Sequence, residues 1–156
     1  MFSPENLKRV EELRQRYTHT QALVLPVLWL AQEQFGSIST ETMKYVAQLL
    51  KVPFSHILGV VTFYTMFRQK ATGKYHIEVC TNVSCMLRGS AALVRHLETK
   101  LGIKLGETTA DGKWTLSEVE CMGACSGAPM CAVGEEYHEN LTTETMDRVL
   151  AELEKQ

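Results

Sequence analysis

Apolar residues recur at helical spacing from Leu7 to Phe67, and cap-type residues between them mark where each helix starts and stops. Ser3-Pro4-Glu5 has the order of an N-cap, a proline at the first helical position and an acid in the first turn. Leu7, Val10, Arg14 and Tyr17 follow at loose helical spacing, which predicts a first helix of about four turns. Thr20 is placed to cap a second helix over Ala22–Phe35, ended by Gly36. Pro26 inside that pattern means the helix either bends or truly begins near it. Ser39 opens a third helix with Met43, Val46, Ala47 and Leu50 on one face. A fourth, short element starts near Pro53 and carries Ile57, Val60, Phe63, Tyr64 and Phe67. Helices this short are individually marginal, so they are expected to stabilise one another by packing.

The pattern changes after Arg68–Lys74, a polar stretch that reads as a linker and divides the chain into 1–70 and 71–156. Tyr75–Val79 alternates like a strand and runs into Cys80. Ser90 is placed to cap a helix with Leu93, Val94, Leu97 and Leu101 on one face, stopped by Gly102. Asp111-Gly112 is a hairpin-type turn between Thr108–Ala110 and Lys113–Leu116. Glu118–Glu120 is a short strand feeding Cys121; Pro129–Val133 is another, with Tyr137–Leu141 as its pairing candidate. Thr142 or Thr143 begins a last helix whose buried stripe is Met146, Val149, Leu150 and Leu153. The order after the linker is close to β-α-β-β-β-α, so the chain is α+β or α/β, a helical bundle followed by a layered domain.

Composition narrows the function classes. The 156 residues are 45% apolar, enough for a real core, and sixteen basic against eighteen acidic side chains give a formal charge of −2. No Lys/Arg run can neutralise a phosphate backbone, so nucleic acid is not expected as a partner. The longest apolar run, Ala22 to Ala31, is half of the roughly 20 residues that span a bilayer, so direct membrane insertion is not expected either. A polar, charged start argues against a cleavable signal, and five cysteines then point to a reducing, cytoplasmic setting where thiols bind metals or stay free.

Four of those cysteines stand in two short pairs, Cys80-x4-Cys85 and Cys121-x3-Cys125, with thirty-five residues between the pairs. Each pair can present two thiolates from one loop. The surrounding residues, Thr81–Ser84 and Met122–Ala124, are small or uncharged and leave backbone N–H groups free to point at sulfur. Such dipoles suit the negative sulfides of a [2Fe–2S] cluster. Neither gap is the two residues of a zinc knuckle or of a thioredoxin-type redox pair. A structural zinc site, redox-active or disulfide-paired cysteines and buried free thiols nevertheless stay open on spacing alone. No histidine falls in either motif, which leaves Rieske-type ligation without its ligands.

Beyond spacing, whole strings match a known family. Ala31–Gly36, Gly59–Phe67, Val79–Gly89, Glu120–Cys125 and Ala128-Pro-Met130 closely resemble the E subunit of NADH-quinone oxidoreductase. That family is the small [2Fe–2S] subunit at the NADH-oxidising end of respiratory complex I, and the resemblance covers nearly the whole chain. It implies a thioredoxin-like [2Fe–2S] ferredoxin domain behind the helical bundle, with Cys80, Cys85, Cys121 and Cys125 as the four ligands. It also implies that FMN and NADH sit on a partner subunit, that further iron–sulfur subunits lie in the same complex, and that attachment to the inner membrane is peripheral. A homologous small subunit of an NAD-linked hydrogenase or formate dehydrogenase is the alternative within redox chemistry; a zinc-stabilised adaptor is the alternative outside it.

The remaining motifs add little chemistry. Cys131 lies where the family more often has an aliphatic residue or methionine, and reads as a buried spectator thiol; the sharper alternative is a spare ligand. Gly106–Trp114 approaches a P-loop but has one residue too many and Trp where Ser/Thr belongs. No Gly-x-Gly-x-x-Gly and no Ser/His/Asp constellation is present, so no substrate site is visible. Four thiolates around a diferric core sum to −2, and no cation lies within Cys121–Cys131; the predicted potential is therefore low. Gly123 and Gly127 either let the backbone fold closely around the cluster or simply turn the loop. Phe63–Phe67 is either core or a docking surface, and Tyr17, Trp29 and Trp114 are expected in the core.

Overall fold

The Ser3 side chain accepts a hydrogen bond from Asn6 N–H at 3.2 Å, and Pro4 begins α1 (Pro4–Arg16) as expected of that pairing. In the computed structural model, which describes residues 1–155, the chain divides into two compact units, Met1–Ala71 and a second beginning at Thr72. The first unit continues with a 3₁₀ turn (Thr20–Leu23), α2 (Val24–Phe35), α3 (Thr40–Leu50) and α4 (Phe54–Phe63). Thr20 caps nothing: it lies inside the 3₁₀ turn, and α2 starts after Leu23 without a side-chain cap. Pro26 is therefore the third residue of α2, where its missing N–H would have had no helical partner anyway. The helix begins near the proline instead of bending at it.

The bundle core is built from Val10, Val27, Leu28, Ile38, Met43, Val46, Leu50, Ile57 and Val61. Gln32 on α2 holds the chain after α4, accepting from Arg68 N–H at 2.7 Å and donating to Met66 O at 2.9 Å. Phe67 is buried there, while Phe63 at 77% exposure and Met66 at 45% face outward. The aromatic segment is thus core at its end and surface at its start. Tyr17 and Trp29, expected in the core, are each about two-fifths exposed: Tyr17 lies just past the end of α1, and both belong to the large amphipathic residues that leave part of their ring in water.

In the second unit a four-stranded sheet runs in the order β2-β1-β3-β4. The central strand β1 (Tyr75–Cys80) is parallel to β2 (Trp114–Val119) and antiparallel to β3 (Cys131–Val133), which pairs with β4 (Glu136–His138). A parallel neighbour requires a crossover, and α5 (Val83–Leu87) with α6 (Ser90–Leu101) supplies it. The last helix, α7 (Thr143–Glu154), begins with a capping box between Thr142 and Thr145. Tyr75, Ile77 and Val79 alternate onto one face of β1 and share a core with Leu93 and Leu97 of α6 and Met146 and Leu150 of α7. Trp114, at the start of β2, is buried in that core as expected.

Several expectations shift here. Ser90 is no cap; it is the buried first residue of α6, and Gly89 precedes it at φ 99°. The α5 helix was not foreseen, being five residues long and so shorter than any periodic signal. The arm Lys113–Leu116 and the segment Glu118–Glu120 are not separate elements but lie mostly in the single strand β2, which stops at Val119. The Asp111-Gly112 turn forms, with Gly112 N–H donating to Thr109 O at 2.8 Å, although its first arm contributes only one bridge, Thr108 to Thr115. Among the described residues no helix is long and apolar enough to cross a membrane.

Candidate metal centre

Both cysteine loops leave the same end of the sheet, after the parallel strands β1 and β2. The register of the parallel pair ends at Cys80 opposite Val119, so Cys80 closes β1 while Cys121 follows two residues after its partner on β2. The exit of β1 is held on both sides: Cys80 N–H donates to Met130 O at 3.2 Å and Thr81 N–H to Val119 O at 3.1 Å. Asn82 then caps α5 by accepting from Val83 N–H at 2.8 Å, which sets Cys85 in the first turn of that helix. On the other side, Gly123 takes φ 85°, a left-handed conformation that turns the loop back so that its N–H donates to Cys121 Sγ at 3.4 Å. Cys125 opens a 3₁₀ turn (Cys125–Gly127).

The four sulfurs fall into a buried pair and an exposed pair. Cys80 and Cys85 are 3% and 2% exposed and share a small apolar cluster with Ala128 and Met130, flanked by Met122 and Ala124. Cys121 and Cys125 are exposed, with their sulfurs 3.4 Å apart. Burial, followed by the hydrogen bond and charge of Cys80, pushes the Cys85 thiol up; the nearby charge of Cys125 acts in the same direction, against a backbone bond from Met130. The apolar cluster joins the two loops, since Met122 and Ala124 of the second pack against Cys80 and Cys85 of the first. Cys121 moves the other way, drawn down first by the Gly123 N–H and then by Cys125, with burial and the charge of Glu120 opposing. All four predicted residues are thus brought to one end of the sheet. Cys131 is not; its sulfur lies 3.9 Å from Met146 Sδ in the core beneath the sheet.

This donor set fits a two-iron cluster. Thiolates are the ligands iron–sulfur chemistry requires, and a backbone N–H already aims at one of them. Among the described residues no three His, Cys, Asp or Glu side chains converge on a single point. A [2Fe–2S] core asks for no such triple, because each iron takes two thiolates and completes its shell with bridging sulfide.

Two glycines and two polar residues complete the local picture. Nothing stands within 4 Å of a side chain added at Gly123, so its role is conformational, whereas a Cβ at Gly127 would collide with the Glu139 side chain. Sequence reasoning missed Asn82 and Glu120, whose side chains hydrogen-bond to each other across the two loops. The available signal was an Asn three residues before Cys85, the spacing of a cap on a short helix.

Comparison with known proteins shows the family to which the chain belongs. The family model for thioredoxin-like [2Fe–2S] ferredoxin matches residues 10–154. The NADH-quinone oxidoreductase E subunit of Rickettsia conorii is 44% identical over 156 residues, covering 98% of this chain and 93% of that protein. The NADH-quinone oxidoreductase E subunit numbered 2 of Rhizobium meliloti is 44% identical over 143 residues, covering 92% and 85%. Among solved structures, an air-oxidised NAD+-reducing [NiFe]-hydrogenase superposes with a TM-score of 0.73 at 22% identity, a likeness of fold covering 90% of this chain and 24% of that one. The chain therefore belongs to the thioredoxin-like [2Fe–2S] ferredoxin family, with the E subunits of NADH-quinone oxidoreductases as its relatives.

Proposed function

We propose that this chain is the [2Fe–2S] electron-carrier subunit of an NADH-quinone oxidoreductase, with Cys80, Cys85, Cys121 and Cys125 as the cluster's ligands. The observation that carries the reading is that two cysteine pairs follow neighbouring parallel strands and share one apolar cluster, in a chain 44% identical to an NADH-quinone oxidoreductase E subunit across nearly its full length. A cluster bound there supplies a store for one electron at a time. The protein's part is to hold and shelter it. Cys80 and Cys85 anchor one side in an apolar pocket that excludes water, and Cys121 and Cys125 stand at the surface, on the side where a redox partner can approach. Cys80 is fixed by the end of β1, Cys85 by the first turn of α5 and Cys125 by the 3₁₀ turn, which keeps reorganisation small when charge is added.

The exchange partner in this reading is a flavin on an NADH-binding subunit, with further iron–sulfur subunits beyond it. This chain performs no substrate chemistry of its own, and it meets the membrane only through the complex, on the cytoplasmic side. Anaerobic purification of the chain, followed by iron and sulfide analysis and EPR, tests the proposal. Two irons, two sulfides and an S = 1/2 signal on reduction are expected for a cluster of this type. Stoichiometric zinc with no visible absorbance would replace the electron carrier with a structural adaptor.

A further inference from the structure

We propose that Asn82 and Glu120 form a latch that holds the two ligand-bearing loops together, making both positioning residues for the cluster. The inference rests on the cluster reading above and concerns two side chains that carry no sulfur. Backbone pairing between β1 and β2 ends at Cys80 and Val119, and Thr81 N–H to Val119 O extends the link one step. The Asn82 Nδ2 to Glu120 Oε2 bond carries it one residue further on each chain segment, between the first and second ligands of one loop and immediately before the first ligand of the other. A weaker contact runs beside it, Thr81 Oγ1 to Glu118 Oε2 at 3.4 Å.

Asn82 serves both loops with one amide. Its Oδ1 accepts from Val83 N–H and so orients the first turn of α5, which carries Cys85; its Nδ2 donates to Glu120, whose backbone leads into Cys121. Chemistry fixes that orientation, because the reversed amide would set donor against donor and oxygen against carboxylate. The two halves of the site are therefore coupled through a single planar group. Residues that orient the ligands of a metal site commonly change metal affinity by about 10–100-fold when altered. An exposed hydrogen bond of this kind contributes little to folding, so retention of the cluster and stability of the fold should separate.

Exchange of donor and acceptor is the test. In Asn82→Asp the carboxylate still caps α5, but it has no proton for Glu120 and faces a like charge. In the double variant Asn82→Asp/Glu120→Gln the new amide donates to the new carboxylate, which restores the bond in reverse at unchanged net charge. The full chain is loaded with cluster and reduced, and the half-life of its visible absorbance under excess EDTA is measured alongside its EPR spectrum and the melting temperature of the apo chain. The expected result for Asn82→Asp is a half-life at least about tenfold shorter with an altered EPR line shape. The double variant is expected to return to within about twofold of wild type, with all apo melting temperatures close together. An Asn82→Asp chain indistinguishable from wild type overturns the latch, and so does a double variant that fails to recover. Should Asn82→Asp not fold, Glu120→Ala decides, since it removes the acceptor and keeps the cap: rapid cluster loss supports the latch and wild-type retention refutes it. A wild-type chain that takes up no cluster would instead remove the cluster reading itself.

Discussion

Cys131 shows what burial does to a single thiol. It is fully buried on β3, away from the four clustered cysteines, and loss of water pushes its ionisation up to about 12. Only the thiolate is nucleophilic, so iodoacetamide at pH 8 should modify the folded apo chain at the exposed Cys121 and Cys125 and reach Cys131 only after denaturation, as read by peptide mass spectrometry. Labelling of Cys131 at the rate of Cys121 would contradict this. The same shift has a stability consequence. The folded state keeps its proton above the ordinary thiol value of 9.0 while the unfolded chain loses it, so stability should fall as pH rises from about 9 to about 12. The contribution of Cys131 to that slope is at most about 1.4 kcal/mol per pH unit, and Cys131→Ala should remove it, making the fall shallower than in wild type. At this scale the sequence was informative: the unpaired cysteine in an apolar run was legible as a buried thiol. The role of Gly127 was not, because the Glu139 side chain that crowds it comes from beyond β4.

Among the elements, helix ends decide how well pattern becomes structure. Ser3, Ser39 and Thr142 all cap the helices assigned to them, because the residue itself takes extended backbone before a helical run. Thr20 and Ser90 have the right chemistry in the wrong backbone: one sits in a 3₁₀ turn, and the other follows a left-handed Gly89 that already ended the previous turn. The end of α3 offers a direct test. Lys51 holds φ 56°, a conformation in which a Cβ is strained, so Lys51→Gly should stabilise the protein by about 1 kcal/mol in urea unfolding; a loss would show that the Lys51 side chain matters more than its backbone. Between α6 and α7, Asp147 meets Lys100 at 2.8 Å and His96 at 2.6 Å, and the Lys100 bond followed by that of His96 holds its carboxyl below the ordinary 3.8. A lowered carboxyl stabilises the fold above its unfolded value, and that stability disappears as pH falls through the folded one. The group is 39% exposed, so Asp147→Asn should cost no more than about 0.5 kcal/mol at neutral pH. The difference from wild type should shrink in high salt and disappear in strong acid; a difference that persists in strong acid would point to packing instead.

For the whole molecule, the placement of the candidate site was legible before any fold was known, since two cysteine pairs after two strand-like segments already predict thiols grouped beyond strand ends. Strand order was not legible. Nothing in Trp114–Val119 says that it pairs with Tyr75–Cys80 in parallel, and the crossover through α5 and α6 emerges only when both segments seek the same apolar face. Nor could spacing say that one pair would be buried and the other exposed, a distinction made by Met130 and Ala128 closing over Cys80 and Cys85. The central claim, that thiols from both loops jointly hold one cluster, is tested most directly by iron content per chain in five single Cys→Ala variants purified anaerobically and compared with wild type. The expected result is cluster loss in Cys80→Ala, Cys85→Ala, Cys121→Ala and Cys125→Ala, with Cys131→Ala retaining the wild-type content. Full iron in any of the first four, or loss in the fifth alone, would contradict it.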